Sequence, residues 1–164
     1  AFYTACGSFM SQNYGAGNRA RVKKSFLICL AYSFGVGLVM GLVFVAAGPA
    51  FLSLFTKDPA VVEAGMSKLS IMGLSYSVSA FMDCSVAASR SLGKSLVPTI
   101  ILILGSCVFR IIWIYTIFAY FHTIPALYLL YIFSWTITSI AQVAYFIHTY
   151  KKETANMPLA PKEA

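Results

Sequence analysis

The feature that most constrains this chain is a stretch of 32 residues without a charged side chain, which lies between Lys24 and Lys57. About 20 apolar residues are enough for an α-helix to cross the roughly 30 Å hydrocarbon core of a bilayer. Gly48 and Pro49 mark the expected end of such a helix, because neither residue favours its continuation. We therefore predict a membrane span at about 25–48, with the next few residues at the interface.

Three further apolar stretches follow the first. They predict spans at about 69–89, 96–121 and 126–150. Within these spans Asp83 is the single acidic residue and Arg110 the single Lys or Arg residue. The chain has 59% hydrophobic and 10% charged residues, whereas an ordinary soluble domain has about 25% charged residues. A soluble domain of this size cannot bury so much apolar surface. The predicted fold class is all-α, a polytopic membrane helix bundle.

The first ten residues form a shorter apolar segment. Ala1 to Met10 are too few to cross a bilayer, and polar residues follow them directly. We expect this segment to be the end of a span that begins earlier, so that the chain holds one incomplete span and four complete ones. Residues 1–152 would then form a partial transmembrane lobe, and 153–164 a polar tail.

The basic residues alternate between the connections of these predicted spans. Nine Lys or Arg residues lie in the N-terminal segment, the Arg90–Lys94 loop and the tail, whereas the intervening connections hold only Lys57 and Lys68. Cytoplasmic loops carry such an excess, so the three basic segments, including the C-terminus, are predicted to be cytoplasmic. This pattern accounts for the net charge of +7 without nucleic acid as a partner, and it favours contact with membrane lipids.

Catalytic chemistry has little support in this sequence. It offers no nucleophile beside a base, no paired carboxylates and no His or Cys residues at metal-ligand spacing. The prediction is that the protein is not an enzyme and holds no metal ion or organic cofactor.

Asp83 is the first candidate functional residue, because an ionisable group inside a span is costly unless it has a role. It belongs to a stripe of small and polar residues spaced by four, namely Ser75, Ser79, Asp83 and Ala87. Such a stripe lies on one helix face and is suited to lining a water-filled cavity. Asp83 is therefore a candidate for cation or proton coupling. The alternative is that it approaches the cytoplasmic interface, where water solvates it.

Arg110 is the second candidate, since it lies roughly 24 Å along its helix from Lys94. Asp83 is only about 10 to 15 Å deep when counted from the same loop, so an ion pair between them is disfavoured. We expect Arg110 to bond the hydroxyls of Ser75, Tyr76 or Ser77, or backbone carbonyls and residues of the missing part of the protein. Both a structural role and a role in lining a cavity remain open.

Gly37 and Gly41 lie one turn apart in the first complete span. Small residues at this spacing let a second helix approach closely. The pattern predicts tight helix packing at this face.

Several motifs along the chain resemble one known family. The first is Gln12, Asn13, Tyr14, Gly15, Ala16, Gly17 and Asn18, with Arg21 three residues later. The other motifs follow in the order and spacing that they have in that family. They are Ser75 and Tyr76, then Arg90, Leu92, Gly93, Lys94, Ser95 and Pro98, and finally Arg110, Ile111, Ile112 and Trp113. Together they resemble the multidrug and toxic compound extrusion (MATE) family over almost the whole chain.

This resemblance implies the C-terminal part of a twelve-span transporter, from the end of the eighth span onward. Its partners would be the missing N-terminal lobe and the start of its own lobe. Such proteins are multidrug antiporters of the plasma membrane, which export cationic or amphiphilic compounds in exchange for sodium ions or protons. The chain departs from the family pattern at Ser91, where a glycine usually follows the arginine. Asp83 also lies closer to the cytoplasmic loop than the acidic residue that binds sodium in one branch.

Two other functions are compatible with the sequence. A flippase for lipid-linked or polysaccharide substrates has a related architecture, but it would carry more cationic residues in its cavity than Arg110 alone. The second is a membrane scaffold, or the remnant of a transporter, which does not transport.

Overall fold

The computed structural model describes residues 2–122 and 124–155, and every regular element among them is helical. The helices are α1 (Phe2–Gly15), α2 (Arg19–Ala46), α3 (Gly48–Ser53), α4 (Pro59–Ser91), α5 and α6 (Ile124–Glu153). Helix α5 consists of five consecutive segments, Leu96–Ile103, Leu104–Val108, Phe109–Trp113, Ile114–Phe118 and Ala119–Phe121, of which the second and fourth are π-helical.

Three of these helices are long and apolar enough to cross a membrane, namely α2, α5 over Leu96–Phe118 and α6 over Leu127–Glu153. Helix α4 forms a fourth such span if its two arms, Pro59–Gly73 and Ser75–Ser91, are taken together across a bend of 42°. The predicted all-α polytopic membrane fold is therefore confirmed.

Two helices start earlier than the predicted spans, because polar residues cap their N-terminal ends. Helix α4 starts at Pro59 rather than near 69, because the Asp58 carboxylate accepts a bond from the Ala60 N–H at 3.0 Å and proline suits the first helical turn. Helix α2 starts at Arg19 rather than 25, and α3 occupies the predicted interfacial segment. The predicted tail begins inside α6, and its residues from 156 onward lie outside those described.

Helix α4 is the central element and packs against α1, α2 and α6. The close approach predicted at Gly37 is confirmed, since a Cβ added there would lie 3.3 Å from the Ser77 Cα. At Gly73 an added Cβ would lie 3.3 Å from the Gly41 carbonyl oxygen. Glycines on both helices thus bring the backbones of α2 and α4 together, which favours van der Waals packing in a membrane.

The basic segments meet at one end of the bundle. The Tyr150 hydroxyl donates to the Arg19 carbonyl at 3.1 Å, which joins the end of α6 to the start of α2. Lys94 Nζ lies 3.2 Å from Glu153 Oε1, which joins the α4–α5 loop to the same end of α6. We call this common end the basic end.

Candidate functional site

The Gln12–Asn18 motif forms the turn between α1 and α2. Gly17 has a φ of +70°, a left-handed conformation that glycine adopts without strain. Asn18 is buried, and its side chain accepts a bond from the Arg21 N–H at 3.0 Å, so it caps α2. The Asn13 amide donates to the Phe9 carbonyl at 2.7 Å. These motif residues therefore form the last turn of α1, the short connection and the N-cap of α2.

A cleft of about 700 Å³ opens between α1, α4 and the first turns of α5. Helix α4 contributes Asp83, Val86, Ala87, Arg90 and Ser91, and α5 contributes Leu102. Helix α1 contributes a mostly polar face made of Tyr3, Thr4, Gly7, Ser8, Ser11 and Gln12. We call this space the Asp83 cleft. It lies toward the basic end, because Arg90 and Ser91 form the last turn of α4.

Asp83 and Arg90 bring opposite charges to this cleft. They are seven residues apart, which is close to two helical turns, so they share a face of α4 with roughly 10 Å of rise between them. Arg90 Nη2 donates to the Thr99 hydroxyl at 3.3 Å, which draws the guanidinium toward α5. The Ser91 hydroxyl donates to the Gly7 carbonyl at 3.0 Å and closes the cleft by joining α4 to α1.

The other members of the predicted stripe do not line this cleft. Ser75 is buried, and its hydroxyl donates to the Ile71 carbonyl at 2.6 Å within α4. The Ser79 hydroxyl donates to the Tyr76 carbonyl at 2.7 Å, also within the helix. Only Asp83 and Ala87 of the four face the cleft. Ser75 and Ser79 lie on the same arm of α4 as Asp83, namely Ser75–Ser91, but they do not line the cleft.

Arg110 has partners other than the predicted ones. Its Nε donates to the Ser134 hydroxyl at 3.3 Å, and its Cζ lies 4.6 Å from the centre of the Tyr131 ring. Both partners are on α6, because α5 runs beside α6 along most of its length and contacts α4 mainly through Leu96–Ile103. The hydroxyls expected on α4 are therefore replaced by one on α6. Arg110 does not line the Asp83 cleft.

Tyr76 belongs to an aromatic cluster beside Arg110. Its ring centre lies 5.4 Å from that of Trp135, which lies 5.8 Å from the Tyr131 ring under the guanidinium. Tyr76 remains 58% exposed. The cluster gives Arg110 a cation–π partner where a lone charge would be costly.

Two π-helical segments flank Arg110 on α5, at Leu104–Val108 and Ile114–Phe118. Between the first of these and α6, the Ser134 hydroxyl donates to the Gly105 carbonyl at 2.8 Å. Ser134 therefore accepts from Arg110 and donates to Gly105. This arrangement holds the guanidinium against α6 and favours a structural role for Arg110.

The polar face of α1 was not predicted, because the first ten residues were interpreted only by their apolar character. Thr4, Ser8 and Ser11 recur at intervals of four and three residues, which places them on one face of a helix. That spacing was the available signal. The cleft itself depends on the packing of α1 against α4, which no local pattern specifies.

The Asp83 cleft has the chemistry to hold a small cation or a protonated group. Its carboxylate supplies negative charge, and the hydroxyls of Thr4, Ser8 and Ser11 supply neutral oxygen atoms on the opposite wall. Hard cations prefer such oxygen ligands. Arg90 limits how much positive charge the cleft holds at once.

The sequence was also compared with models of known protein families and with curated proteins. A family model described as MatE matches residues 1–116, which include α1 to α4 and most of α5. No curated protein matches the chain.

Proposed function

Since the chain belongs to the MatE family, we propose that it forms part of a secondary active transporter that exports cationic or amphiphilic compounds. In this proposal a sodium or proton gradient drives export, and the transporter spans the plasma membrane with its C-terminus in the cytoplasm. The remaining spans of a twelve-span protein supply the other wall of the substrate cavity. The family supports a role in transport rather than catalysis.

The observation that carries this proposal is the position of Asp83 in a cleft between α1 and α4 that has hydroxyls on its α1 wall. A carboxylate that exchanges a proton or a sodium ion must be reached by water from one side. The cleft supports such access because it lies toward the basic end of the bundle and has hydroxyls on its α1 wall. We therefore assign the coupling role to Asp83.

Export of a fluorescent cationic dye tests the proposal. The complete transporter that contains this chain is placed in inverted membrane vesicles, and a sodium or proton gradient is imposed. The wild-type protein should accumulate dye only when a gradient is present. Asp83→Asn keeps the size of the side chain and removes its charge, so we expect at least a tenfold lower gradient-driven rate, with normal amounts of protein in the membrane.

Glu63→Gln is the matched control, because Glu63 is an exposed carboxylate near the other end of α4. It should retain the wild-type rate. If Asp83→Asn transports normally at every pH and sodium concentration, the coupling role is wrong and Asp83 is a solvated interfacial residue. Dye movement that needs no gradient would contradict the antiport mechanism itself.

A further inference from the structure

A second, mainly apolar groove runs between α2 and α6 on a different side of the bundle from the Asp83 cleft. Its section at the basic end, between α2, α4 and α6, has a volume of about 680 Å³, and a deeper section of about 480 Å³, between α4 and α6, shares lining residues with it. Phe81, Val143 and Ile147 line both sections. The rings of Phe26 and Phe146, whose centres are 4.3 Å apart, form the floor of the first section. We call this space the α2–α6 groove.

Three cations surround the opening of this groove at the basic end, namely Arg19, Lys23 and Lys151. Arg19 is held in place, because its Cζ lies 5.8 Å from the centre of the Tyr150 ring and its carbonyl accepts the Tyr150 hydroxyl. Lys23 and Lys151 are exposed. The nearby carboxylate of Glu153 pairs with Lys94, which is not part of the opening. The opening is therefore a site of concentrated positive charge.

The length of the groove matches one leaflet of a bilayer. On α2 the lining extends from Arg19 to Leu30, which is roughly 17 Å of helix rise. On α6 it extends from Tyr150 back to Thr136, which is roughly 21 Å. Half of the hydrocarbon core is about 15 Å thick. An acyl chain that starts below the basic residues can therefore lie in the groove down to the middle of the membrane.

We propose that the α2–α6 groove is a binding site for an anionic phospholipid of the cytoplasmic leaflet. The phosphate and the headgroup bind Arg19, Lys23 and Lys151, and one acyl chain lies along the apolar residues of α2, α4 and α6. Basic pockets between membrane helices on the cytoplasmic side are suited to such headgroups. The same charges repel a cationic compound, so this site is separate from the proposed transport of cations.

Native mass spectrometry of the purified chain in detergent tests this site. The probes are phosphatidylglycerol and phosphatidylcholine with the same palmitoyl and oleoyl tails, added at equal concentration. The wild-type chain should retain phosphatidylglycerol in clear preference. Each basic residue near a membrane contributes a factor of about five in affinity for anionic lipid. Lys23→Gln combined with Lys151→Gln should therefore weaken phosphatidylglycerol binding roughly 25-fold and leave phosphatidylcholine binding unchanged.

Matched variants separate the site from general effects of charge. Lys57→Gln combined with Lys68→Gln removes the same charge at the opposite end of the bundle and should leave lipid binding at the wild-type level. Ile147→Trp obstructs the groove and should weaken the binding of both lipids, whereas Ile111→Trp, at an exposed position on α5 outside the groove, should not. Thermal unfolding of each variant without added lipid confirms that it is folded.

Three outcomes would overturn the proposal. Equal retention of the two phospholipids would mean that the cations do not select the headgroup. Displacement of phosphatidylglycerol by millimolar inorganic phosphate would mean that the site binds phosphate without the acyl chain. Failure to retain either lipid would mean that the groove does not bind phospholipid.

Discussion

Replacing Gly105 by alanine should push α5 away from α6. A Cβ at this position would overlap the Thr138 hydroxyl and would lie 3.0 Å from the Thr138 Cβ and 3.2 Å from its Cγ2. Overpacking of this kind costs about 1 to 3 kcal/mol, and alanine regains about 0.5 to 1 kcal/mol of helix propensity over glycine. Separating the helices also weakens the Ser134–Gly105 bond, which is worth about 0.6 kcal/mol in a membrane. We expect Gly105→Ala to lower the free energy of unfolding by about 1 to 2 kcal/mol.

Adding Thr138→Ala should restore most of this loss. It removes both the hydroxyl and Cγ2, so that the closest remaining contact, Cβ to Cβ at 3.0 Å, needs a movement of only about 0.4 Å to reach an ordinary distance. Among the residues that the structure describes, the hydroxyl bonds the Ser134 carbonyl of its own helix, so its removal costs little. Gly35→Ala is the control, because an added Cβ there meets nothing within 4 Å and should be neutral or stabilising.

Unfolding of the purified chain by increasing amounts of SDS in mixed micelles measures these changes. The two tryptophans, Trp113 on α5 and Trp135 on α6, report on the interface that is perturbed. If Gly105→Ala and Gly35→Ala change stability in the same direction, the close packing at Gly105 is wrong. If Thr138→Ala fails to restore stability in the double variant, the overlap with Thr138 is not the cause.

The other predictions concern capping, a buried amide and sidedness. Asn18→Ala removes the acceptor for the Arg21 N–H and should lower unfolding free energy by about 1 kcal/mol in the same SDS assay; no change would mean that the cap contributes nothing. Gln142 is fully buried, and its side-chain amide donates to a carbonyl in the first turn of α5 at 2.7 Å. Replacing it by methionine should lower the free energy of unfolding by about 0.6 to 1.7 kcal/mol. A gain in stability would contradict this prediction. In a cysteine-free background, Ser95→Cys should be labelled only from the cytoplasm and Lys57→Cys only from outside; labelling of both from one side would contradict the sidedness.

The membrane fold could be predicted from the sequence because its main determinants are local. The length of an uncharged stretch and the bilayer thickness together specify a span, and an apolar helix long enough to cross a membrane lies at Leu96–Phe118. The spacing of Gly37 and Gly41 was enough to predict a close helix contact, since small residues one turn apart always share a face. The ends of α2 and α4 were less predictable, because Asn18 and Asp58 cap helices that continue past charged residues into the interface.

The candidate site was harder to predict because it depends on which helices are neighbours. Asp83 could be singled out from its sequence context alone, but the polar wall that faces it comes from α1, which is about 70 residues away in the chain. The hydroxyls predicted for Arg110 are on α4, with backbone carbonyls and residues of the missing part as alternatives, whereas its partners Ser134 and Tyr131 are on α6. A helix of about 25 residues has several faces, and the sequence of α5 does not specify which of them meets α4.

In the proposed mechanism, export of a cationic compound is coupled to an ion that Asp83 binds. Coupling works in both directions, so an outward gradient of the compound, with no ion gradient imposed, must drive sodium ions or protons the opposite way. The direct measurement is ion movement across liposomes that contain the complete transporter and an imposed gradient of a cationic dye. We predict ion movement that depends on the dye gradient in the wild-type protein and is absent in Asp83→Asn. Dye movement without any counter-movement of sodium ions or protons would contradict the account.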